Sequence, residues 1–497
     1  MVLAVERAGA VGPRLDRVAG RASIIPETLM HEARLLWPPH PYRAGFCITD
    51  DCDATDLESF RRVYGFLQRA GLPVTRTVWA FTPDEPCGIP AAPPSILRGV
   101  TLEDPDYRAY CRELAASGFE ICLHGASAGN NRRERTLAAL DLVAGEFGPP
   151  RTHICHAKNA DNPYWEHKVA PDPLTRALLR LYSRHRCSGE VESSLYFWGD
   201  ACRARIRQVR LFRTRNTNTL AANPSMPWFE TDKPLVAGWF SATKRSFRDC
   251  TSAPALARLK RDRGLTVLYQ YLHRYAADGG VTPAFREGVE RLRSERDIWQ
   301  ATTGAVMDRL QVIQGQFWLA RGRDCYALNA GPGPAASVQL ELPSGVCCTA
   351  PESLRGAGGV VVLPEIPAGT SLRLGFNRPV RIAGPRAFPL PASGRVDLSV
   401  GHGRLRAFLP AGAKIGSGPT EWRAPGGPLA PGASRLDFPA ALADLRPLSR
   451  APRTELLRLL HGQFDIIRRE LVSKGRSIRT ERFLGQEHIR LEDHSVW

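Results

Sequence analysis

The sequence predicts a mixed α/β protein: a parallel β/α barrel or open sheet, then a β-sandwich-like accessory part and a C-terminal helix. Three observations predict it. Apolar strand-like runs alternate with helical stretches over about 270 residues. The polar residues suited to chemistry fall at the same end of successive runs. After Leu310 the texture changes to short apolar runs split by Gly/Pro turns. At 497 residues the chain is expected to hold two or three domains. The boundaries read as an extension over 1–39, a β/α part over 40–310, a β-sandwich-like domain over 311–378, a Pro/Gly-rich β or linker region over 379–450, and a helix and tail over 451–497.

Trp37-Pro38-Pro39-His40-Pro41 is a rigid approach to the first strand. That strand, Phe46 to Ile48, stops abruptly at Asp50, Asp51 and Asp53. A buried strand looks like this when it delivers carboxylates to one rim of a sheet, although a solvated turn with an Asp helix cap has the same appearance. Leu57 to Ala70 is amphipathic and stops at Gly71, a C-cap. Val74 to Phe81 is a second strand, Tyr107 to Ser117 a helix, and Phe119 to Leu123 a third strand ending at His124. Arg132 to Phe147 is helical, and Thr152 to Ala157 is a fourth strand. Val209–Phe212, Leu235–Phe240 and Thr266–Leu272 supply three more. Asp50, Asp51, His124, His156 and His273 then all lie at strand C-terminal ends, the rim on which β/α barrels build sites.

Beyond Leu310, the runs Phe317–Ala320, Cys325–Leu328, Val338–Leu342, Gly359–Leu363 and Ser371–Phe376 read as a sandwich. Arg404 to Leu409 is a weaker strand. From Arg453, Leu456, Leu460, Phe464, Ile467 and Leu471 form a helical stripe. Docking on its own chain is the plain reading of that stripe; peripheral contact with a membrane surface is the sharper one.

The net charge of +17 points to an acidic partner, such as an anionic glycan or a phospholipid surface, but arginine-rich coding composition gives the same sign. No zinc-finger spacing, aromatic RNA-binding signature or basic block is present, so nucleic acid is not expected as a partner. Twelve cysteines without a C-x-x-C pair fit a reducing compartment. The opening residues lack the apolar core of a signal peptide, and no transmembrane run is present, so cytoplasmic localisation is the expectation.

Thr49-Asp50-Asp51, with His124 closing one strand and His273 the last, resembles the polysaccharide deacetylase family, carbohydrate esterase family 4, over residues 40 to 310. The resemblance implies a distorted β/α barrel and a metal-dependent hydrolase that removes an acyl group, most plausibly N-acetyl, from an amino-sugar glycan or glycolipid. It implies Asp50 as catalytic base, Asp51 and His124 as metal ligands, and His273 as the acid that protonates the leaving group. The chain departs from the family pattern at three points. No second histidine follows His124, Cys52-Asp53 replaces the usual Gly-Pro, and the fourth strand lacks the arginine that orients the base.

Side chains alternate along a strand, so His153 and His156 face opposite ways. His156, nearer the rim, is the expected third ligand, because imidazole suits zinc; Asp53 is the alternative. The divalent metal is expected to be zinc. Asn159, Asp161, Tyr164 and Trp165 follow the fourth strand and combine amide, acid and aromatics as glycan clefts do, while a turn with an Asx cap is the plainer reading. Arg213 is the candidate grip for a substrate carboxylate or phosphate. Two other classes stay open. One is a glycan-binding barrel without chemistry; the other is a glycosidase using Asp50 with Asp161 or Glu230.

Overall fold

The computed structural model describes residues 30–423, apart from 88–98, 157–158, 165–172, 174–175, 178–179, 181–186, 228–232, 234, 330–332, 369–370, 385–386, 390–393, 401–402 and 410–420. Two compact units divide near residues 40 and 310. The C-terminal stripe from Arg453, like Trp165 and Glu230, lies outside the described residues. No described helix is long and apolar enough to cross a membrane.

β1 (His31–Leu36) belongs to the second unit. The first unit begins with β2 (Ala44–Asp50), followed by β3 (Thr75–Val78), β4 (Glu120–Leu123), β5 (Thr152–His153), β6 (Gln208–Thr214), β7 (Trp239–Thr243) and β8 (Leu265–Gln270). These strands run parallel in chain order, and β8 pairs back onto β2 from Gly45↔Leu265 to Asp50↔Gln270. The result is a closed seven-stranded parallel barrel with no free edge. A short hairpin, β9 (Ala276–Ala277) and β10 (Gly280–Val281), lies beyond β8. β11 (Ile298–Gln300) pairs with the first half of β2, Ala44 to Phe46, whereas β3 pairs with β2 only at Thr49 and Asp50. This split neighbour makes the barrel irregular.

Local chemistry explains the element boundaries. The first helix, Leu57–Ala70, is capped by Asp56, whose carboxylate accepts from Ser59 N–H at 2.8 Å, and ends at Gly71 in the left-handed region at φ 66°. The cap is therefore Asp56, which leaves Asp53 for other work. The next helix starts at Pro105, two residues before the expected Tyr107, because Asp104 caps it and proline suits the first turn. β5 pairs over only two residues, short of the expected Ala157, and the carbonyl of Ile154 beyond it is taken by a histidine ring. β7 begins at Trp239 rather than Leu235, whose N–H reaches the Tyr164 hydroxyl at 3.4 Å.

All seven residues of β2 are buried, as are all seven of β6. β6 carries Gln208, Arg210 and Arg213 into that environment, so these groups must find partners inside the unit. At the N-terminal end of the barrel, Glu120 accepts from Thr75 Oγ1 (2.8 Å), Thr152 Oγ1 (2.7 Å) and Gly304 N–H (2.8 Å). That end is stitched shut by one carboxylate, and chemistry is left to the opposite rim.

The second unit is β-rich from Gln316 onward. One sheet orders Val360–Val362, Gln339–Glu341, β1 and Val380–Ala383 side by side. The extension thus contributes a strand that its sequence did not signal. A five-stranded sheet contains Gln316–Arg321, Asp324–Asn329, Cys348–Ala350, Ser371–Phe376 and Ala387–Pro389. Gly394–Val400, Gly403–Leu409 and Glu421–Arg423 form a further three-stranded sheet.

Candidate metal centre

Past the end of β2 the chain is held by short bonds. Asp51 N–H donates to Gln270 O at 3.0 Å, and Cys52 N–H donates to Thr77 Oγ1 at 2.9 Å. Ala54 sits at φ 56°, a strained setting for a residue with a Cβ, and it turns the chain directly after Asp53. Asp51 and Asp53 project toward His124, whereas Asp50 projects toward Arg76 and Tyr64.

Asp53, His124 and His156 form a cluster in which one oxygen and two ring nitrogens lie within 4.8 Å of one another. His124 Nε2 is 3.1 Å from Asp53 Oδ1, and His156 Nε2 is 3.8 Å from the same oxygen. Each ring is fixed from behind. His124 Nδ1 lies 2.8 Å from Ile154 O, which can only accept, so Nδ1 carries a proton and, in the neutral ring, Nε2 presents a lone pair. His156 Nδ1 lies 3.1 Å from Asn159 Oδ1. The Asn159 amide nitrogen donates to Gly129 O at 2.5 Å, which settles its orientation, so His156 Nε2 also presents a lone pair. Among the described residues, buried Asp53 Oδ1 and His156 Nε2 have no hydrogen-bond partner.

These donors fit a divalent ion of the zinc kind. Tetrahedral bonds of ~2.1 Å place neighbouring ligand atoms about 3.4 Å apart, close to the separations found. Histidines whose far nitrogen is held by a carbonyl or an amide oxygen are the usual second layer of such a site. Trp79 lines it, its ring 5.5 Å from His156 and 6.3 Å from His124. Although burial pushes Asp53 up, His124 and His156 hold its carboxyl well below the usual carboxylate range. Burial pulls His124 down, and Asp51 and Asp53 more than reverse it. Burial dominates at His156 and lowers it.

Asp51, expected as a ligand, stands beside the cluster with Oδ2 3.7 Å from His124 Nε2. Its two oxygens accept from Arg210 at 2.9 and 2.8 Å, a bidentate pair across the barrel, and Asp53 takes the third place in the cluster. Asp50, expected as the base, points behind the sheet. It accepts from Arg76 (2.5 Å), Tyr64 OH (2.8 Å) and Leu272 N–H (2.6 Å), and both Asp50 and Arg76 are fully buried. Burial raises the Asp50 carboxyl while Arg76 and the Leu272 amide oppose the rise. Arg76 also lies 4.8 Å over the Phe60 ring.

His273 lies on the short 3₁₀ turn Leu272–Tyr275, with Nδ1 3.3 Å from Thr55 Oγ1. Burial, with Arg76 and Arg274 adding to it, lowers its pKa to about 4, so at pH 7 the ring is neutral, with one N–H and one lone pair. His153 faces away from the cluster, as alternation requires, with its ring 5.0 Å from Trp198.

The loop after β5 serves the scaffold. Asn159, Asp161 and Tyr164 are at most 4 % exposed. Asn159 orients His156, and Asp161 accepts from Asn131 N–H at 3.0 Å while its backbone carbonyl accepts from Trp198 Nε1 at 2.5 Å. Burial raises the Asp161 carboxyl to about 7. All three side chains are buried in this way, and Trp165, expected beside them, lies outside the described residues. Arg213 is a buried residue of β6 rather than part of a following loop.

Sequence reasoning passed over Arg76, Arg210, Tyr269 and Tyr271. A signal was available for the arginines, since a cation in a short apolar strand must be paired when that strand is buried. The same alternation that separates His153 from His156 also separates Asp50 from Asp51.

No family model matches the chain, and no curated protein matches it. Solved structures that are similar include two hydrolase-named proteins. One, from Mycobacterium smegmatis, is described as a "putative polysaccharide deacetylase"; it is 13 % identical, with a TM-score of 0.31, and the match covers 55 % of this chain and 92 % of that one. The other, Puue allantoinase, is 11 % identical, with a TM-score of 0.31, covering 55 % of this chain and 93 % of that one.

Proposed function

We propose that the barrel is a metal-dependent hydrolase of C–N bonds that removes an acyl group, N-acetyl in the first instance, from an amino-sugar glycan or glycolipid. The observation that carries it is the cluster of Asp53, His124 and His156, in which buried Asp53 Oδ1 and His156 Nε2 have no hydrogen bond among the described residues. The substrate class follows the resemblance borne by Thr49, Asp50, Asp51 and His124.

An ion held there, zinc by the character of its donors, supplies a Lewis acid for the acyl carbonyl and lowers the pKa of bound water. Asp53, His124 and His156 bind it. Asp51 is the nearest carboxylate outside the trio, and each of its oxygens keeps a lone pair beyond the one given to Arg210. It is therefore better placed than Asp50, held behind the sheet by three donors, to accept a proton from water. His273, on the turn that follows β8, offers a ring N–H or a lone pair to a substrate hydroxyl.

The pairing of Asp50 with Arg76 and of Asp51 with Arg210 favours a second reading, a metal-holding glycan-binding barrel without turnover. Acetate release from N-acetylated chito-oligosaccharides, measured with zinc and again with a chelator, tests the proposal. Zinc-dependent release that disappears in Asp53→Ala is expected. Metal binding without release moves the protein to the binding reading, and metal-independent cleavage of the sugar chain moves it to the glycosidase class.

A further inference from the structure

We propose that Tyr271 is a positioning residue that restricts Asp53 to a single coordinating oxygen, and that Tyr269 sets the direction of its hydrogen bond. The inference rests on the metal-site reading above and concerns what lies behind it.

Tyr269 and Tyr271 leave the end of β8 two residues apart and so face the same side, while Gln270 between them turns away to donate to Arg245 O at 2.9 Å. Their rings meet at 5.4 Å, and the Tyr269 hydroxyl donates to the Tyr271 hydroxyl at 2.5 Å. A phenol has one proton. Because Tyr271 accepts from Tyr269, its own proton is free to be directed onward, and it reaches Asp53 Oδ2 at 3.3 Å. This engages one oxygen of Asp53 and leaves Oδ1 alone toward His124 and His156.

The relay is braced from below. The Arg210 guanidinium lies 4.3 Å over the Tyr269 ring and is itself fixed by both oxygens of Asp51. One arginine thus sets the position of Asp51 and, through two phenols, the orientation of Asp53. Tyr269 is 2 % exposed and Tyr271 9 %, so water does not readily replace either hydroxyl. The consequence is chemical. A carboxylate held at one oxygen leaves a coordination position open for water or substrate, whereas a carboxylate free to rotate fills it with its second oxygen.

The test uses the full chain, stripped of metal and titrated with Zn²⁺ and separately with Co²⁺. Tyr271→Phe removes only the hydroxyl. It is expected to weaken Zn²⁺ binding by about 10- to 100-fold. It is also expected to lower the visible absorption of bound Co²⁺, because the coordination number rises when Asp53 turns bidentate. Tyr269→Phe keeps the Tyr271 hydroxyl and gives the smaller change of the two. A Tyr271→Phe protein with wild-type Zn²⁺ affinity and a wild-type Co²⁺ spectrum overturns the proposal and leaves the metal site standing. Wild-type protein that takes up neither ion overturns the metal site, and this proposal with it. Should Tyr271→Phe fail to fold, Tyr269→Phe decides. Weakened Zn²⁺ binding at unchanged thermal stability supports the relay, and wild-type affinity with a wild-type spectrum overturns it.

Discussion

Arg76→Met isolates the role of Asp50. Both side chains of this pair are fully buried, and Asp50 receives three donors, from Arg76, Tyr64 and Leu272. Methionine keeps most of the arginine stem's volume but removes the charge that compensates the carboxylate. Breaking one side of a buried pair costs about 3–5 kcal/mol, chiefly because the remaining charge is stranded. For a barrel of this size each kcal/mol shifts the midpoint by ~2–4 °C, so the barrel transition should fall by roughly 6–20 °C. The penalty also carries a pH signature. Burial already holds the folded-state pKa of Asp50 above its unfolded value, and without Arg76, which opposes that rise, it goes higher still. The penalty is then fully present above the folded pKa and shrinks as pH falls through it. Calorimetry at pH 8 and pH 5 measures both effects. The paired variant Arg76→Met/Asp50→Leu should recover most of the loss, since neither charge remains. A single variant that melts within about 3 °C of wild type, or a pair no better than the single, refutes the reasoning.

Three further outcomes follow from the same geometry. Asn159→Ala frees the His156 ring and should weaken Zn²⁺ binding by about 10- to 100-fold in a competition titration, with the fold kept. Gly129→Ala places a Cβ 1.8 Å from the Glu85 backbone carbonyl, so the loop that holds Asn159 must move; a loss of about 1–3 kcal/mol in denaturant unfolding is expected, with weaker metal binding beside it. His153 is buried and neutral, its pKa lowered to about 3 by burial, so the unfolded chain takes up its proton first as pH falls. Stability should therefore decline from about pH 6.5 downward, and His153→Leu should flatten that slope.

The barrel was legible because alternation of strands and helices survives in the sequence as a change of hydrophobic period. The rim was legible for the same reason. Asp51, His124 and His156 do gather there, Asp51 Oδ2 lying 3.7 Å from His124 Nε2. The choice between Asp51 and Asp53 was not legible. Both project to the same side of the chain, and what separates them is Arg210, about 160 residues away in sequence, which reaches across the barrel to one and not the other. Asp50 was readable in principle, since one-residue alternation turns it toward Tyr64 on the following helix. The loop after β5 is ambiguous in composition. Amides, acids and aromatics that suit a sugar also suit a buried hydrogen-bond network, and only burial tells the two apart.

Metal stoichiometry in two variants tests the central claim most directly. Wild-type protein loaded with zinc and exhaustively dialysed should carry one ion per chain by elemental analysis. The assignment of Asp53, His124 and His156 predicts that Asp53→Ala loses the ion while Asp51→Asn retains it. Retention by Asp53→Ala together with loss in Asp51→Asn would contradict it and return Asp51 to the ligand set.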